Sequence, residues 1–458
     1  MKMRVPHVLV ILCAMVVLAT LATYVIPAGG YKRIQGPEGR PMVDPQSFEF
    51  QKQQPVGLFK MLEAVPRGLT DAGMIAFTIF IIGGAWEVIN ATGAIVVGVR
   101  RIMERLRGHE ILLIPLLMLI FGAVSAIIGA IELAIVYIPV VLPLSLALGF
   151  DSMTAAGIVL ASTCAAFSAT LTNPFSVGVS QQVAGLPLYS GLSYRLIVLA
   201  CFMAVSIAYV MRYAARVKRD PSKSLTREED AVRTVSGLEP VEPGSRHALV
   251  GLVLVGAFAL MVYGVLKLKW FMTEIGAVFF LVAVLSAVFG GLGLSRAAEE
   301  FSKGAQGVTL AALIVGFSRA IVVVVEQGNI IDTIVWSLAR CVQSLPAGVT
   351  VLGLLVAVLL LEFVVPSASG KALITMPIMV PLADIVGVTR QTAVLVYQLG
   401  DGMCNIFYPI EGGTMAVLSL AGVPYEKWFK FILPLISIWL FMGSAFLLIA
   451  QAVRWGPF

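Results

Sequence analysis

The chain has 458 residues, of which 59% are hydrophobic and 13% are charged, and its formal net charge is +6. Soluble domains carry about 25% charged residues, so a soluble globular protein is excluded. The positive charge does not indicate nucleic-acid binding, because the Lys and Arg residues cluster beside long apolar runs, as at the cytoplasmic ends of membrane spans. The sequence predicts an all-α polytopic membrane protein.

Apolar runs of about 20 residues, long enough to cross a bilayer, recur along the whole chain. They lie at 7–26, 72–91, 193–211, 248–266, 272–290, 307–325 and 428–450. The first run follows Lys2 and Arg4, so we expect a retained anchor with a cytoplasmic N-terminus; a cleaved signal peptide is the alternative, although the run is long for one. Residues 27–69 then form an outer loop, and the basic segment 93–107 forms an amphipathic helix on the inner membrane surface.

The apolar stretch 111–149 is too long for one crossing and is interrupted between Gly129 and Glu132. We predict a re-entrant hairpin entered from the inside, because non-helical backbone at membrane depth is tolerated where it lines a cavity or is buried in protein. Two full crossings are the alternative, and they leave the topology of the remaining chain unchanged. The next crossing, 153–183, is broken just before Pro174.

A weak internal repeat divides the chain. The segment 138–144 is matched at a constant offset of 238 by the segment 376–382, including both prolines of each. We expect a first repeat (1–213), a cytoplasmic linker (214–246), an inverting span (247–268) and a second repeat (269–458) with an outer hairpin (348–388) and a broken helix (391–422). Two inverted-topology repeats are typical of secondary transporters that bind substrate at the repeat interface. The count of crossings places the C-terminus outside.

Polar and helix-breaking residues fall at the hairpin tips and in the broken helices of both halves. Helix N-termini freed by Gly and Pro suit a carboxylate, whereas freed carbonyls and side-chain oxygens suit a sodium ion. Charged residues at membrane depth are costly and indicate a site by default. The substrate-binding candidates are Glu132, Thr172, Asn173, Ser367, Ser369, Lys371, Asp401, Asn405 and Glu411. The ion-coupling candidates, with Na⁺ or H⁺ as the ion, are Gly129, Ser168, Thr170, Gly370, Gly400, Gly412 and Thr414.

Lys371 is the one cation among these candidates, beside three acids. An amino acid fits this balance better than a dianion does, with its carboxylate on Lys371 and the half-helix N-termini and its ammonium on the acids. Two alternatives stay open: Glu132 and Lys371 form a structural buried pair, or a protonated Glu132 or Asp401 couples proton flow. Arg319 is a further charge inside a span and is expected to pair with Glu362.

Sequence motifs of other functions are missing. The chain has no GxxxxGK[ST] motif for ATP-driven pumping, no HExxH, no metal or disulfide spacing of cysteines and no nucleophile–base pair. We expect a secondary active transporter without cofactor or metal that moves a small carboxylate-bearing solute by exchange or with an ion. An amino acid is the foremost candidate, with basic amino acids included. An ion-coupled C4-dicarboxylate carrier is the alternative, followed by a channel or a membrane enzyme.

The hairpin tips, each followed by Pro-x-x-x-Pro-Leu and then by a broken helix rich in Thr, Asn, Pro and Gly, resemble the ion-transporter superfamily of elevator-type carriers. Over 7–452 the chain is similar to the YfcC-like branch of the four-carbon dicarboxylate anaerobic carrier family. The supporting segments are 24–31, 83–85, 367–372 and 401–402.

This resemblance implies a homodimer in the bacterial inner membrane. Each protomer would have a scaffold domain at the dimer contact and a transport domain that carries both hairpins and both broken helices across the bilayer. In sodium–dicarboxylate relatives each hairpin tip reads Ser-Asn-Thr, whereas here the corresponding positions 130–132 and 367–369 read Ala-Ile-Glu and Ser-Ala-Ser. The branch is also likened to basic amino acid exchangers.

Overall fold

The computed structural model describes residues 8–36, 41–105, 108–129, 131–232, 244–268, 270–345, 347–365 and 367–456. Ala130, Pro366 and the centre of the predicted linker, 233–243, lie outside these ranges. The first half contains α1 (Val8–Val25), α2 (Leu58–Asp71), α3 (Gly73–Ala91), α4 (Ala94–Arg105), α5 (Leu113–Ile128), α6 (Ala134–Ala147), α7 (Ser152–Ser168), α8 (Val179–Val183) and α9 (Leu192–Arg219).

The short helix α10 (Arg227–Val232) and the long helix α11 (Ser245–Leu268) lead to the second half. That half contains α12 (Met272–Gly290), α13 (Leu294–Gly307), α14 (Thr309–Gln327), α15 (Ile331–Gln343), α16 (Ala347–Glu362), α17 (Ala368–Val386), α18 (Arg390–Cys404), α19 (Gly412–Ala421) and α20 (Tyr425–Ala452).

Among the described residues, 8 helices are long and apolar enough to cross a membrane. They are Val8–Val25, Gly73–Ala91, Glu110–Ile128, Leu192–Arg219, Met272–Gly290, Thr309–Gln327, Ala368–Val386 and Tyr425–Ala452. The chain is therefore a polytopic, mostly helical membrane protein, as predicted. Two of the 8 are arms of the predicted hairpins, so their length is compatible with re-entrant arms and with full crossings.

The order and the lengths of the helices recur between the halves. Helices α2, α3 and α4 have 14, 19 and 12 residues, and α13, α14 and α15 have 14, 19 and 13. The packing is reciprocal, since α1 and α2 pack against α14 whereas α12 and α13 pack against α3. Helix α11 falls between the two sets.

The structure corrects the expectation of an outer loop over 27–69 in two respects. Residues 58–71 form α2. In the second half, α13 lies between two predicted spans, where the sequence predicted only a connection. Both helices are amphipathic rather than apolar throughout, so a search for apolar runs does not find them. The loop also holds two short antiparallel pairs, β1 (Gly29–Gly30) with β4 (Glu49–Phe50) and β2 (Arg33–Gln35) with β3 (Pro41–Val43), in a chain predicted to be all-α.

Two short helices form the centre of the protein. Every residue of α7 is buried, and so is every residue of α18 from Gln391 to Cys404. The two helices pack against each other so closely that a Cβ on Gly402 would overlap the backbone of Ser168. Small side chains permit such close packing of helices. Each helix ends in a break of the α-helical backbone, and the close crossing brings the two breaks together.

Candidate functional site

A cavity of about 340 Å³ lies where the two hairpin tips meet the two helix breaks. Binding sites for small molecules are commonly about 300–1,000 Å³ in volume, so a metabolite-sized solute fits. The lining residues come from both halves of the chain. They are Gly129, Ile131, Glu132, Phe167, Phe175, Phe271, Glu362, Ser367, Ala368, Ser369, Asp401, Asn405 and Glu411.

The first hairpin tip begins at Gly129, which ends α5 in the left-handed conformation at φ 69°. This conformation is readily accessible to glycine but costly for other residues. The carbonyl of Ala126 in the last turn of α5 accepts bonds from the Thr170 hydroxyl at 2.6 Å and from the Leu171 N–H at 3.1 Å. The first helix break is therefore folded directly onto the first hairpin tip.

Asn173 restarts the helix after this break. Its side-chain oxygen accepts the N–H groups of Phe175 at 2.8 Å and Ser176 at 3.2 Å, and Pro174 takes the first helical position, as is usual for helix starts. A turn of π-helix follows over Pro174–Gly178. The Asn173 amide donates to the Gly129 carbonyl at 3.4 Å, so one side chain fixes both the break and the hairpin tip.

The second hairpin tip is built around an ion triad. Lys371 lies in the first turn of α17, Glu362 ends α16, and Asp401 lies in the last turns of α18. The Lys371 ammonium forms ion pairs with Glu362 and with Asp401 Oδ1, the latter at 2.7 Å. The three residues are 0%, 2% and 1% exposed, so two carboxylates share one ammonium away from water.

Two further contacts fix the position of this triad. The Lys371 Nζ lies 5.8 Å from the centre of the Tyr397 ring, and the Tyr397 hydroxyl donates to the Ala368 carbonyl. Asp401 Oδ2 is buried and has no hydrogen-bond partner among the described residues. Because Asp401 lines the cavity, this oxygen is a candidate ligand for a cationic group of the substrate.

Two more acids, Glu132 and Glu411, approach each other on another part of the wall. The position that a Cβ on Gly413 would occupy is 3.6 Å from Glu411 Oε1 and 3.9 Å from Glu132 Cα. The first hairpin tip and the start of α19 are therefore in contact. Within the described part of the chain neither carboxylate takes part in a salt bridge. Two adjacent carboxyl groups repel each other when both are ionised, so this pair favours either a shared proton or a cation between them.

The structure separates the predicted site residues into two groups. Those that line the cavity are Gly129, Glu132, Ser367, Ser369, Asp401, Asn405 and Glu411. Those outside its lining are Ser168, Thr170, Thr172, Asn173, Gly370, Lys371, Gly400, Gly412 and Thr414. Several of the second group hold the wall by bonds to the backbone, as when the Thr414 hydroxyl donates to the Asn405 carbonyl and the Ser168 hydroxyl donates to the Cys164 carbonyl.

The structure rules out one alternative pair and one expected pair. Lys371 pairs with Glu362 and Asp401 rather than with Glu132, because Glu362 lies just across the tight tip from it. Glu362 is therefore not the partner of Arg319. The guanidinium of Arg319 lies 3.7 Å from the Asp71 carboxylate and 3.8 Å from the Glu326 carboxylate. These contacts lie where α14 packs against the end of α2.

Sequence reasoning missed Glu362 and three aromatic side chains of the lining, Phe167, Phe175 and Phe271. A signal for Glu362 was present, since it is a single acid at the end of an apolar run. The phenylalanines carry no such signal, because they resemble any other apolar residue of a membrane helix. No group of three His, Cys, Asp or Glu in the described ranges is placed to hold a metal ion.

Comparison with known proteins identifies the family. The family model for the C4-dicarboxylate anaerobic carrier (DcuC) matches residues 5–452. The chain is 31% identical to the "Putative basic amino acid antiporter YfcC" of Escherichia coli (strain K12), over 97% of this chain and 96% of that one. An uncharacterised protein of Haemophilus influenzae is 28% identical over the same shares.

Two solved transporter structures show remote likeness. The YdaH transporter of Alcanivorax borkumensis gives a TM-score of 0.43 at 16% identity, covering 99% of this chain and 100% of that one. MtrF of Neisseria gonorrhoeae gives a TM-score of 0.41 at 16% identity, covering 98% of this chain and 95% of that one. At these scores neither structure bears on the geometry of the site. The family match over nearly the whole chain decides identity: the protein belongs to the C4-dicarboxylate anaerobic carrier family and is a membrane transporter, not an enzyme.

Proposed function

We propose that the protein is a secondary active transporter of basic amino acids. The observation that carries this proposal is the charge around the cavity. Four carboxylates, Glu132, Glu362, Asp401 and Glu411, line it. The nearby ammonium of Lys371 is fully buried and already bound to two of them. A site with such an excess of acids favours a solute with two cationic groups and one carboxylate.

The alternative substrate, a C4-dicarboxylate, is the one that the family description names. A dianion would enter a cavity in which each of its charges faces acids, and like charges in a poorly solvated site repel strongly. The relative YfcC carries a name that points to basic amino acids. The charge balance of this cavity agrees with that name rather than with the family description.

A pose follows from the arrangement of the groups. The start of α17, with Ser367 and Ser369 at the cavity, offers N–H groups and hydroxyls for the substrate carboxylate. Asp401 lines the same cavity, and its unpaired Oδ2 suits the α-ammonium. The pair of Glu132 and Glu411 suits the cation of the side chain. Lys371 was the sequence-based choice for the carboxylate, but its ammonium is enclosed by two acids, so the α17 N-terminus replaces it in this pose.

We propose further that the halves are inverted-topology repeats and that transport follows an elevator mechanism. The recurring helix lengths, the reciprocal packing of α1–α2 on α14 and of α12–α13 on α3, and the position of α11 between the halves support this arrangement. In this scheme both hairpins and both broken helices move together with the cavity. The scaffold would form a homodimer in the bacterial inner membrane, with the N-terminus inside and the C-terminus outside. Exchange and coupling to Na⁺ or H⁺ are the two energy sources to be distinguished.

The test is ligand binding followed by transport. A ligand that binds the folded protein raises its melting temperature by mass action. We expect a rise with arginine, lysine or ornithine and none with succinate or fumarate, each measured with and without sodium at two pH values. Reconstituted protein should then show counterflow of labelled arginine, which a channel would not. A rise with the dicarboxylates alone would refute the proposal.

A further inference from the structure

We infer that Lys371 is a built-in competitor for the cation of the substrate. Its ammonium binds Glu362 and Asp401, and a substrate enters by sharing and then replacing that ammonium at the same carboxylates. The inference rests on the proposed function, because it explains how the same cavity binds a cationic solute and later releases it.

The first support is that the triad faces the cavity with its acids only. Glu362 and Asp401 belong to the lining, whereas Lys371 lies behind them. Asp401 uses Oδ1 for the lysine, and its buried Oδ2 has no partner in the described part of the chain. Two carboxylates share one ammonium, so the triad is one positive charge short. A cation in the cavity supplies that charge at Oδ2.

The second support is that Lys371 is poorly placed to bind the substrate carboxylate. Its ammonium lies between two acids and beside the Tyr397 ring, so an incoming carboxylate would have to approach through Glu362 and Asp401. An ion triad with a purely structural role has no need to turn both acids towards a solute cavity. Competition by the Lys371 ammonium explains this geometry. It limits the affinity with which the two buried carboxylates would otherwise bind the cation of the substrate.

The third support is where the three residues lie. Glu362 and Lys371 belong to the two arms of the second hairpin, and Asp401 belongs to the broken helix against which that hairpin packs. When the ammonium leaves one acid, a link between these segments is released. Entry of the substrate cation is therefore joined to a local change in the wall that encloses it.

The experiment compares arginine with agmatine, which is arginine without its carboxylate. Dissociation constants are measured on purified full-length protein for the wild type and for Lys371→Met. A competitor opposes every cationic ligand, so both ligands should bind at least about tenfold more tightly to the variant. Lys427→Met is the matched control. The Lys427 ammonium lies 2.7 Å from a carboxylate oxygen of Glu229, and neither residue lines the cavity. This variant should change neither dissociation constant.

A second variant covers the case in which Lys371→Met does not fold. Lys371→Arg keeps the charge and binds carboxylates through two parallel hydrogen bonds, so it should weaken arginine and agmatine alike. A loss of arginine affinity alone, in either variant, would mean that Lys371 binds the substrate carboxylate and would overturn the inference. Unchanged constants would overturn it too, leaving the triad a structural role. If the wild type binds neither ligand, the proposed function itself fails.

Discussion

The two hairpin tips are built alike but differ in charge. Each precedes a helix that contains two prolines four residues apart, and each packs against a helix break. The first tip presents Glu132 beside Glu411, and the described residues form no salt bridge with either. The second tip encloses Lys371 between Glu362 and Asp401. The two tips thus have similar backbones and line one cavity, whereas their charged side chains differ.

The largest effect is expected from Asp401→Asn, which removes both the ion pair with Lys371 and the proposed contact with the substrate. The variant loses one of the two acids that pair with Lys371, and with it the oxygen Oδ2 that has no partner among the described residues. We expect arginine affinity and counterflow to fall by more than about 30-fold, since losing one partner of a buried charge pair between protein and ligand costs about 2–5 kcal/mol. Asp384→Asn, in a half-exposed pair with Arg390, should behave as the wild type. Equal losses in the two variants would contradict the assigned role of Asp401.

The next effect concerns the shape of the first tip. Gly129→Ala introduces a Cβ that overlaps the Asn173 side chain at a residue with φ 69°. Gly149→Ala is the matched control, because Gly149 has φ 80° but nothing lies within 4 Å of its Cβ position. Both variants incur the backbone cost of about 1–2 kcal/mol, and only Gly129→Ala adds about 1–3 kcal/mol of overpacking. In detergent, the melting temperature should therefore fall further for Gly129→Ala than for Gly149→Ala. A similar decrease in both would show that the Asn173 side chain moves away from the added Cβ without cost.

A smaller effect sharpens the comparison of charge. Glu132→Gln should weaken arginine binding about tenfold, because a charged hydrogen-bond partner is worth about 1.5–3 kcal/mol. Binding of citrulline, an analogue of arginine with an uncharged side chain, should be unaffected. Competition binding with the two ligands gives the ratio directly. Glu87→Gln, which replaces an acid of α3 that packs near Gly304, serves as the control. A parallel loss for citrulline would place Glu132 at the common part of the two ligands instead.

The smallest effect is expected at the start of α17. Ser367 caps this helix by accepting the Gly370 N–H at 3.4 Å. Ser367→Ala should cost about 1 kcal/mol or less and raise the arginine dissociation constant about threefold, with agmatine less affected because it lacks the carboxylate. Ser437→Ala, which removes a hydroxyl that donates to the Leu433 carbonyl in α20, controls for loss of a hydroxyl elsewhere. Equal changes for arginine and agmatine would argue against a carboxylate at the α17 start.

The positions of the helix breaks could be predicted from the sequence, since Gly and Pro act locally. Gly129 ends α5, Pro174 opens a turn of π-helix, and α19 begins at Gly412. Gly and Pro alone do not suffice, since Pro139 and Pro143 lie inside α6 and Gly400 lies inside α18. The breaks fall where Gly or Pro stands beside polar residues. This reasoning, together with the cost of charged residues at membrane depth, named seven of the residues that line the cavity.

The partners of the buried charges could not be predicted in this way. Lys371 had several acids within reach along the sequence, and only the folded hairpin tip shows that Glu362 lies across from it. The helices α2 and α13 were missed because their apolar residues form one face rather than a continuous run. Long-range pairing and amphipathic packing depend on which helices meet, and local sequence patterns do not specify that.

The close crossing of α7 and α18 has a consequence for the size of the solute. At Gly402 the two helices meet backbone to backbone, directly beside Asp401, so neither can slide along the other without collision. The distance from Asp401 to the acids of the first tip is therefore set by the fold rather than adjusted to each ligand. A diamino acid whose two ammonium groups are too close or too far apart can satisfy only one end of the cavity. Under the proposed function, we therefore expect the carrier to discriminate between homologous diamino acids by the number of methylene groups they contain.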